Sequence, residues 1–306
     1  MSDTDDKLLI DVTSGVLNIA GAEKWIATAA EKAAAAGAEL GIQVHNSASD
    51  EELKKAVASQ LKLSFHAPVQ GPYMLNLAAE DCSESWNLID EQVELMRQCG
   101  VNRAVFHGAL MTDKPIKAFG HGMSYSQCMQ EASRPELQRP DGSMFIIDYT
   151  GSSEYQMRLE RLKNNLQILK KRYPDFLWCV ENDFPAYVAG VVRGRDLVML
   201  EHEVCFDTGH MWAAGKMLDL DFYDEMLTAF RSGNVRMIHL HASRYTLDMP
   251  HSSWGDGHLP LNSPTQMDIA YIIRACREYN VKHIVLEIAQ ARLEDVETVL
   301  RYYFED

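Results

Sequence analysis

Eight short runs rich in Val, Ile, Leu and Phe recur along the chain, separated by stretches with helical spacing. They are Leu8–Ser14, Gly41–Asn46, Lys62–Pro68, Val101–Gly108, Phe176–Asp183, Val204–His210, Val235–Ala242 and His283–Ile288. Near-continuous apolar runs suit strands buried on both faces, which is the environment of a parallel sheet. Between them the spacing predicts helices. Ala22–Ala36 is Ala-rich and stops at Gly37. Ser83–Cys99 repeats Trp86, Ile89, Val93 and Met96 at helical spacing and stops at Gly100. Left-handed residues of this kind, usually glycine, commonly end helices. Ser153–Tyr173, Asp219–Arg231, Pro264–Tyr279 and Leu293–Phe304 follow, with a less regular helix over Pro185–Leu200. Eight β/α units in alternation predict one α/β domain over residues 1–306, closed as a (β/α)₈ barrel.

One connection is longer than a barrel needs. Roughly forty residues lie between the fourth strand and the helix at Ser153, and connections of that length in compact domains usually carry function. The segment, about 109–152, contains Phe119-Gly-His-Gly-Met123 and Arg139-Pro-Asp-Gly142, and is expected to lie over the active face as a substrate lid.

Composition narrows the possibilities. Hydrophobic residues are 46% of the chain, enough for a large core, and no apolar run approaches the ~18 residues of a membrane helix. The acidic start, Met1–Lys7, lacks the basic and apolar regions of a secretory signal, so a cytoplasmic protein is expected. Cys82, Cys99, Cys128, Cys179, Cys205 and Cys276 form no C-x-x-C pair, which argues against a disulfide framework. With 44 acidic and 29 basic residues the formal charge is −15, which repels polyphosphate at long range and counts against nucleic acid as a partner. No membrane partner is expected, and homo-oligomers stay open.

The ionisable residues fall where barrel chemistry occurs, at the carboxyl ends of strands. Strand two ends with His45; strands three and four carry His66 and His107. Strand five carries Glu181 and Asn182, strand six Asp207 with His210, strand seven His239 and His241, and strand eight Glu287. Asp256 and His258 lie in the loop after strand seven. A single strand-end His is more often a hydrogen-bonded core residue than a ligand. Seven of the 11 histidines at such positions, among carboxylates that would otherwise repel one another, point to bound cations. His121, His202, His251 and His283 are left as surface or supporting residues. Mixed imidazole and carboxylate donors suit Zn²⁺, Mn²⁺, Fe²⁺ or Co²⁺ better than Ca²⁺ or Mg²⁺, and the absence of thiolates at the strand ends argues for an open, catalytic site.

The segments Ser64-Phe-His-Ala-Pro68, Val105-Phe-His-Gly108, Val180-Glu-Asn182, Cys205-Phe-Asp-Thr-Gly-His210, Ile238-His-Leu-His241, Asp256-Gly-His-Leu-Pro-Leu261 and Ile284-Val-Leu-Glu287 together resemble the xylose isomerase-like TIM barrels. That superfamily includes sugar phosphate isomerases and epimerases and the endonuclease IV type of AP endonuclease (AP endonuclease family 2). The resemblance implies that Glu181, Asp207, His239 and Glu287 form a shared metal site. It implies that His66 and His107 hold a second ion beside Glu181, and that His210, Asp256 and His258 hold a third in the endonuclease branch. His210 also matches a substrate-contacting position of the epimerases. Three departures stand out. Asn262-Ser-Pro264 replaces the glycines that usually follow the Asp-Gly-His motif; Val69-Gln-Gly-Pro72 stands before Tyr73, where the endonucleases place an aromatic wedge; and His241 replaces an Asn or Asp.

Two activities follow from the resemblance. The first is a divalent-metal-dependent isomerase or epimerase acting on a small sugar or sugar phosphate, the ion stabilising an enediolate while Glu181 and Glu287 act as acid and base. His210 and Arg244 would orient a sugar oxygen. The alternative is an endonuclease IV-like multinuclear zinc phosphoesterase, which needs His66, His107, Asp256 and His258 as well. The charge, the missing wedge and the lack of Lys/Arg-rich strand-end loops favour the first, with one to three ions, Zn²⁺ or Mn²⁺ foremost. A non-catalytic metal-binding barrel is the third reading.

Overall fold

The computed structural model describes residues 7–120 and 122–305; the expectation for His121 lies outside them. Eight parallel strands close in sequence order, β1 pairing with both β2 and β8. They are β1 (Leu9–Thr13), β2 (Glu39–Val44), β3 (Lys62–His66), β4 (Arg103–Phe106), β5 (Leu177–Glu181), β6 (Val204–Asp207), β7 (Val235–Leu240) and β8 (His283–Leu286). The helices are α1 (Ala22–Ala35), α2 (Asp50–Ala58), α3 (Ser83–Cys99), α4 (Tyr125–Gln130), α5 (Ser153–Arg172), α6 (Gly194–Met199), α7 (Thr208–Leu218), α8 (Phe222–Arg231), α9 (Ile269–Glu278) and α10 (Leu293–Phe304). The chain is an α/β protein with the (β/α)₈ TIM-barrel fold.

Every expected strand forms, but one strand bound and two helical expectations need correction. Val204–His210 does not continue as strand. Asp207 ends β6 and caps α7, its carboxylate accepting the His210 backbone N–H at 2.6 Å. His210 therefore stands on the first turn of a helix. Pro185–Leu200 is helical only over α6, and Pro264–Tyr279 only over α9, where Asp268 is the cap. Inside the 109–152 segment α4 is closed by a reciprocal Ser124/Gln127 capping box.

Strand alternation sets the interior. Val105, Cys179, Cys205, Met237 and Val285 are fully buried and pack as one plug inside the barrel. Side chains repeat their direction every second residue of a strand. Two residues further along, these same five strands therefore present His107, Glu181, Asp207, His239 and Glu287 above the plug. On the opposite side of the barrel Asp11 occupies interior space against β2. A Cβ at Gly41 would sit 2.2 Å from Asp11 Oδ1, so only glycine fits there.

Candidate metal centre

The four residues Glu181, Asp207, His239 and Glu287 each offer a ligand atom, all within 4.8 Å of one another. His239 Nδ1 lies 2.8 Å from Glu181 Oε1, 3.3 Å from Glu287 Oε2 and 3.7 Å from Asp207 Oδ2. Two buried carboxylates, Glu181 and Asp207, and the partly buried Glu287 surround one imidazole, and the buried oxygens Glu181 Oε2, Asp207 Oδ2 and Glu287 Oε2 have no hydrogen-bond donor. Buried carboxylate oxygens are costly without compensation. A divalent cation supplies it, and the donor set of three oxygens and one nitrogen fits such an ion.

A second group joins through Glu181, with His66 Nε2 at 3.3 Å and His107 Nε2 at 3.6 Å from Oε2. A third centres on Asp256. His258 Nε2 is 2.8 Å and His210 Nε2 3.1 Å from its Oδ2, while His241 Nε2 is 3.6 Å from Oδ1. All nine expected ligands thus converge on one mouth of the barrel. His241 stands beside Asp256 and His258 as a supporting ring: its Nδ1 accepts the His258 backbone N–H at 2.8 Å, which leaves the Nε2–H facing Asp256.

The outer nitrogens explain how the rings are aimed. His107 Nδ1 pairs with Asp183 Oδ1, His210 Nδ1 with the Asn182 carbonyl, and His258 Nδ1 with the Glu287 carbonyl, each at 2.8 Å. An oxygen acceptor on Nδ1 fixes the tautomer and leaves Nε2 inward with its lone pair, the arrangement that metal-bound imidazoles require. Asp183 is itself held by the Gly190 and Val191 N–H groups. Asn182 clamps Asp207 by donating to its carbonyl and accepting from its N–H. His258 reaches its place with a left-handed backbone, φ 45°, a conformation disfavoured for a residue with a side chain.

Electrostatics in the ion-free protein follow from this packing. Burial raises the Glu181 carboxyl, but His239 and His107 outweigh it and hold the group well below the usual carboxylate range. Burial likewise works against charge on His258, yet Asp256 and Glu287 lift the ring to about 10. His45, lacking such a partner, is pushed by burial down to about 4 and stays neutral; its Nδ1 hydrogen-bonds Ser47 Oγ at 2.6 Å.

Above the centre is a cavity of about 350 Å³. His45, His66, His107, His210, Asp256, His258 and Glu287 contribute its polar floor. Its walls are largely apolar: Leu110, Phe119, Tyr125, Met129 and Met144 from the 109–152 segment, with Met74 and Phe184 opposite. Sequence reasoning expected the 109–152 segment over this face but singled out none of these side chains except Phe119, nor Asp183; Asp183 was visible as the third residue of Glu-Asn-Asp, but nothing local distinguished it. Among the described residues no Lys or Arg lines the cavity. Arg244 does not reach it; the exposed guanidinium lies 5.2 Å over the Tyr245 ring. His202 and His283 are buried away from this mouth.

The fold is a (β/α)₈ barrel that gathers carboxylates and imidazoles at the carboxyl ends of its strands. Structural comparison agrees at the level of the fold. A D-tagatose 3-epimerase-like protein matches with TM-score 0.57 and 15% identity over 97% of each chain. An AP endonuclease of family 2 from Brucella melitensis matches with TM-score 0.53 and 12% identity, over 94% of this chain and 95% of that one. A xylose isomerase domain protein from Planctomyces limnophilus gives TM-score 0.53 and 11% identity, over 98% and 97%. No protein-family profile matches the chain, and no curated protein matches its sequence. Among the described residues no helix is long and apolar enough to cross a membrane.

Proposed function

We propose that the protein is a divalent-metal-dependent isomerase or epimerase acting on a small sugar or sugar phosphate. The observation that carries this reading is the pair Glu181 and Glu287, both drawn onto His239 with Asp207 and crowned by a small-molecule-sized cavity. Glu181, Asp207, His239 and Glu287 would hold the ion, with Zn²⁺ or Mn²⁺ the best matches to the donors. When bound, the ion supplies Lewis acidity toward a carbonyl and the adjacent hydroxyl.

The chain's own residues do the rest. Glu287 reaches the cavity floor and is placed to take the proton from the carbon next to the carbonyl. Glu181, more deeply buried and on the same His239 nitrogen, would return one. Transfer by two carboxylates contributes about 10²–10⁴-fold in such reactions. His210, locked between the Asn182 carbonyl and Asp256, presents Nε2 to a sugar hydroxyl. The apolar walls exclude water from the exchanging proton.

The second reading, a multinuclear phosphoesterase for small esters, is favoured by the His66–His107–Glu181 and His241–Asp256–His258 groups, which an isomerase does not require. Against a duplex substrate stand the cavity's size and its lack of cations. The test is to purify the protein without chelator, count ions by elemental analysis, and incubate it with ketoses and ketose phosphates in D₂O. Deuterium at a carbon next to the carbonyl, lost in Glu287→Gln, is the expected result. No carbon-bound exchange, together with phosphate release from a small ester or nicking of abasic DNA, would overturn it.

A further inference from the structure

The opposite mouth of the barrel holds a second cleft, of about 600 Å³, that the metal centre does not use. Its lining is written into the strand starts. Lys7 comes two residues before β1, Lys62 and Arg103 open β3 and β4, Arg236 is the second residue of β7, and Lys282 immediately precedes β8. Parallel closure carries all five onto one rim, and Lys170 from the last turn of α5 joins them. Among the described residues the acidic members of the lining are Asp175 and Glu203. Several cations are already engaged: Lys170 Nζ is 2.6 Å from Glu203 Oε1, Lys62 pairs with Glu39, and Arg103 and Lys282 have interactions of their own. Even so, six basic side chains around one concavity, in a chain of net charge −15, is a local reversal of the protein's field.

The cleft also contains an unpartnered buried polar atom. His283, 3% exposed, has its Nε2 2.8 Å from Asp11 Oδ2, while its Nδ1 has no partner. Buried polar atoms in native proteins are ordinarily satisfied, so this nitrogen in the wall of the cleft marks where a polar ligand belongs. A phosphoryl group answers both the rim cations and the imidazole. Its oxygens accept from N–H and cationic donors, and its singly protonated form offers a hydroxyl to an imidazole nitrogen.

We propose that this cleft binds a small phosphorylated anion, at a site separate from the metal-bearing mouth. Tripolyphosphate is the probe, titrated calorimetrically into the metal-loaded full-length protein. Saturable one-to-one binding is expected, weakening as salt rises. Arg236→Gln and Lys7→Gln remove exposed cations, so both variants should keep the fold, checked by circular dichroism. Each should lose affinity by about 10-fold. Lys24→Gln, on an exposed position of α1, should bind as the parent does. Asp207→Asn separates the two mouths: binding that survives it but falls in Arg236→Gln supports the proposal. Absence of saturable binding, or loss in Asp207→Asn with none in Arg236→Gln, would overturn it. So would tighter binding of a single-stranded oligonucleotide than of tripolyphosphate, since that points to a macromolecular surface.

Discussion

Glu181 is the residue on which most of the site depends, because one oxygen faces His239 and the other faces both His66 and His107. Replacing it with Gln keeps the shape but removes the charge that holds three imidazoles. We expect Glu181→Gln to lower turnover by about 10³-fold or more and to reduce bound metal, read by steady-state kinetics and elemental analysis. Asp183 acts at one remove, through His107 Nδ1. In Asp183→Asn the amide oxygen stays on the Gly190 and Val191 N–H groups, so the NH₂ faces His107 Nδ1 and imposes the wrong tautomer, and metal affinity should fall by about 10–100-fold while the fold persists. Unchanged metal affinity in Asp183→Asn would mean that His107 is not a ligand. Gly209 is constrained differently. A Cβ there would lie 2.1 Å from the His241 ring, so Gly209→Ala must push His241 away from Asp256. A stability loss of about 1–3 kcal/mol is expected from this overpacking, seen as a lower denaturant midpoint.

Among the elements, the 109–152 segment is tied to α5 by a charged clamp. Arg134 bonds the Met111 carbonyl and the Glu154 carboxylate, and Arg158 bonds Asp113 and Glu154. Glu154 lies in the first turn of α5, where a negative side chain also meets the positive end of the helix. This clamp fixes the wall bearing Phe119, Tyr125 and Met129 over the metal centre. Arg158→Leu leaves Asp113 without its cation and should cost roughly 1–3 kcal/mol. Its more telling effect is local: faster proteolytic cleavage within 109–152 and a raised KM, with bound metal unchanged. Equal proteolysis of parent and variant would show that the clamp does not hold the wall.

For the whole molecule, the barrel is charged in opposite senses at its two mouths, with carboxylates above the interior plug and cations below it. In the ion-free protein the upper mouth holds itself together by pairing those carboxylates with imidazoles. His258, raised to about 10 by Asp256 and Glu287 after burial has worked against it, stabilises the fold fully below the ordinary histidine range. That contribution is lost as pH rises through about 10, and the raised rings of His107, His210 and His239 act with the same sign. Glu181, Asp256 and Glu287 are held low, so their contribution is present above the ordinary carboxylate range and lost only in strong acid. The chelated protein should therefore show a falling Tm between about pH 7 and 10. The metal-loaded protein should not, because the cation replaces the protons on these rings. Parallel Tm curves for the two forms would contradict that exchange.

How much of this was legible in the chain depends on the range of the interaction concerned. Eight apolar runs specified the strands, because burial on both faces leaves the same mark wherever the strand sits. Position at the carboxyl ends of those strands then put Glu181, Asp207, His239 and Glu287 at one rim. His210 shows the local limit: Asp-Thr-Gly-His reads as strand until the Asp207 carboxylate is seen capping a helix. The tertiary structure alone decided that Asp183, 76 residues away in sequence, orients His107, that His241 closes on Asp256, and that Arg244 turns aside to Tyr245. It alone gathered strand-start cations into a second cleft. Periodicity records which face of an element is buried, whereas the partner across a gap is set by how distant elements pack, and single residues carry no trace of that distance.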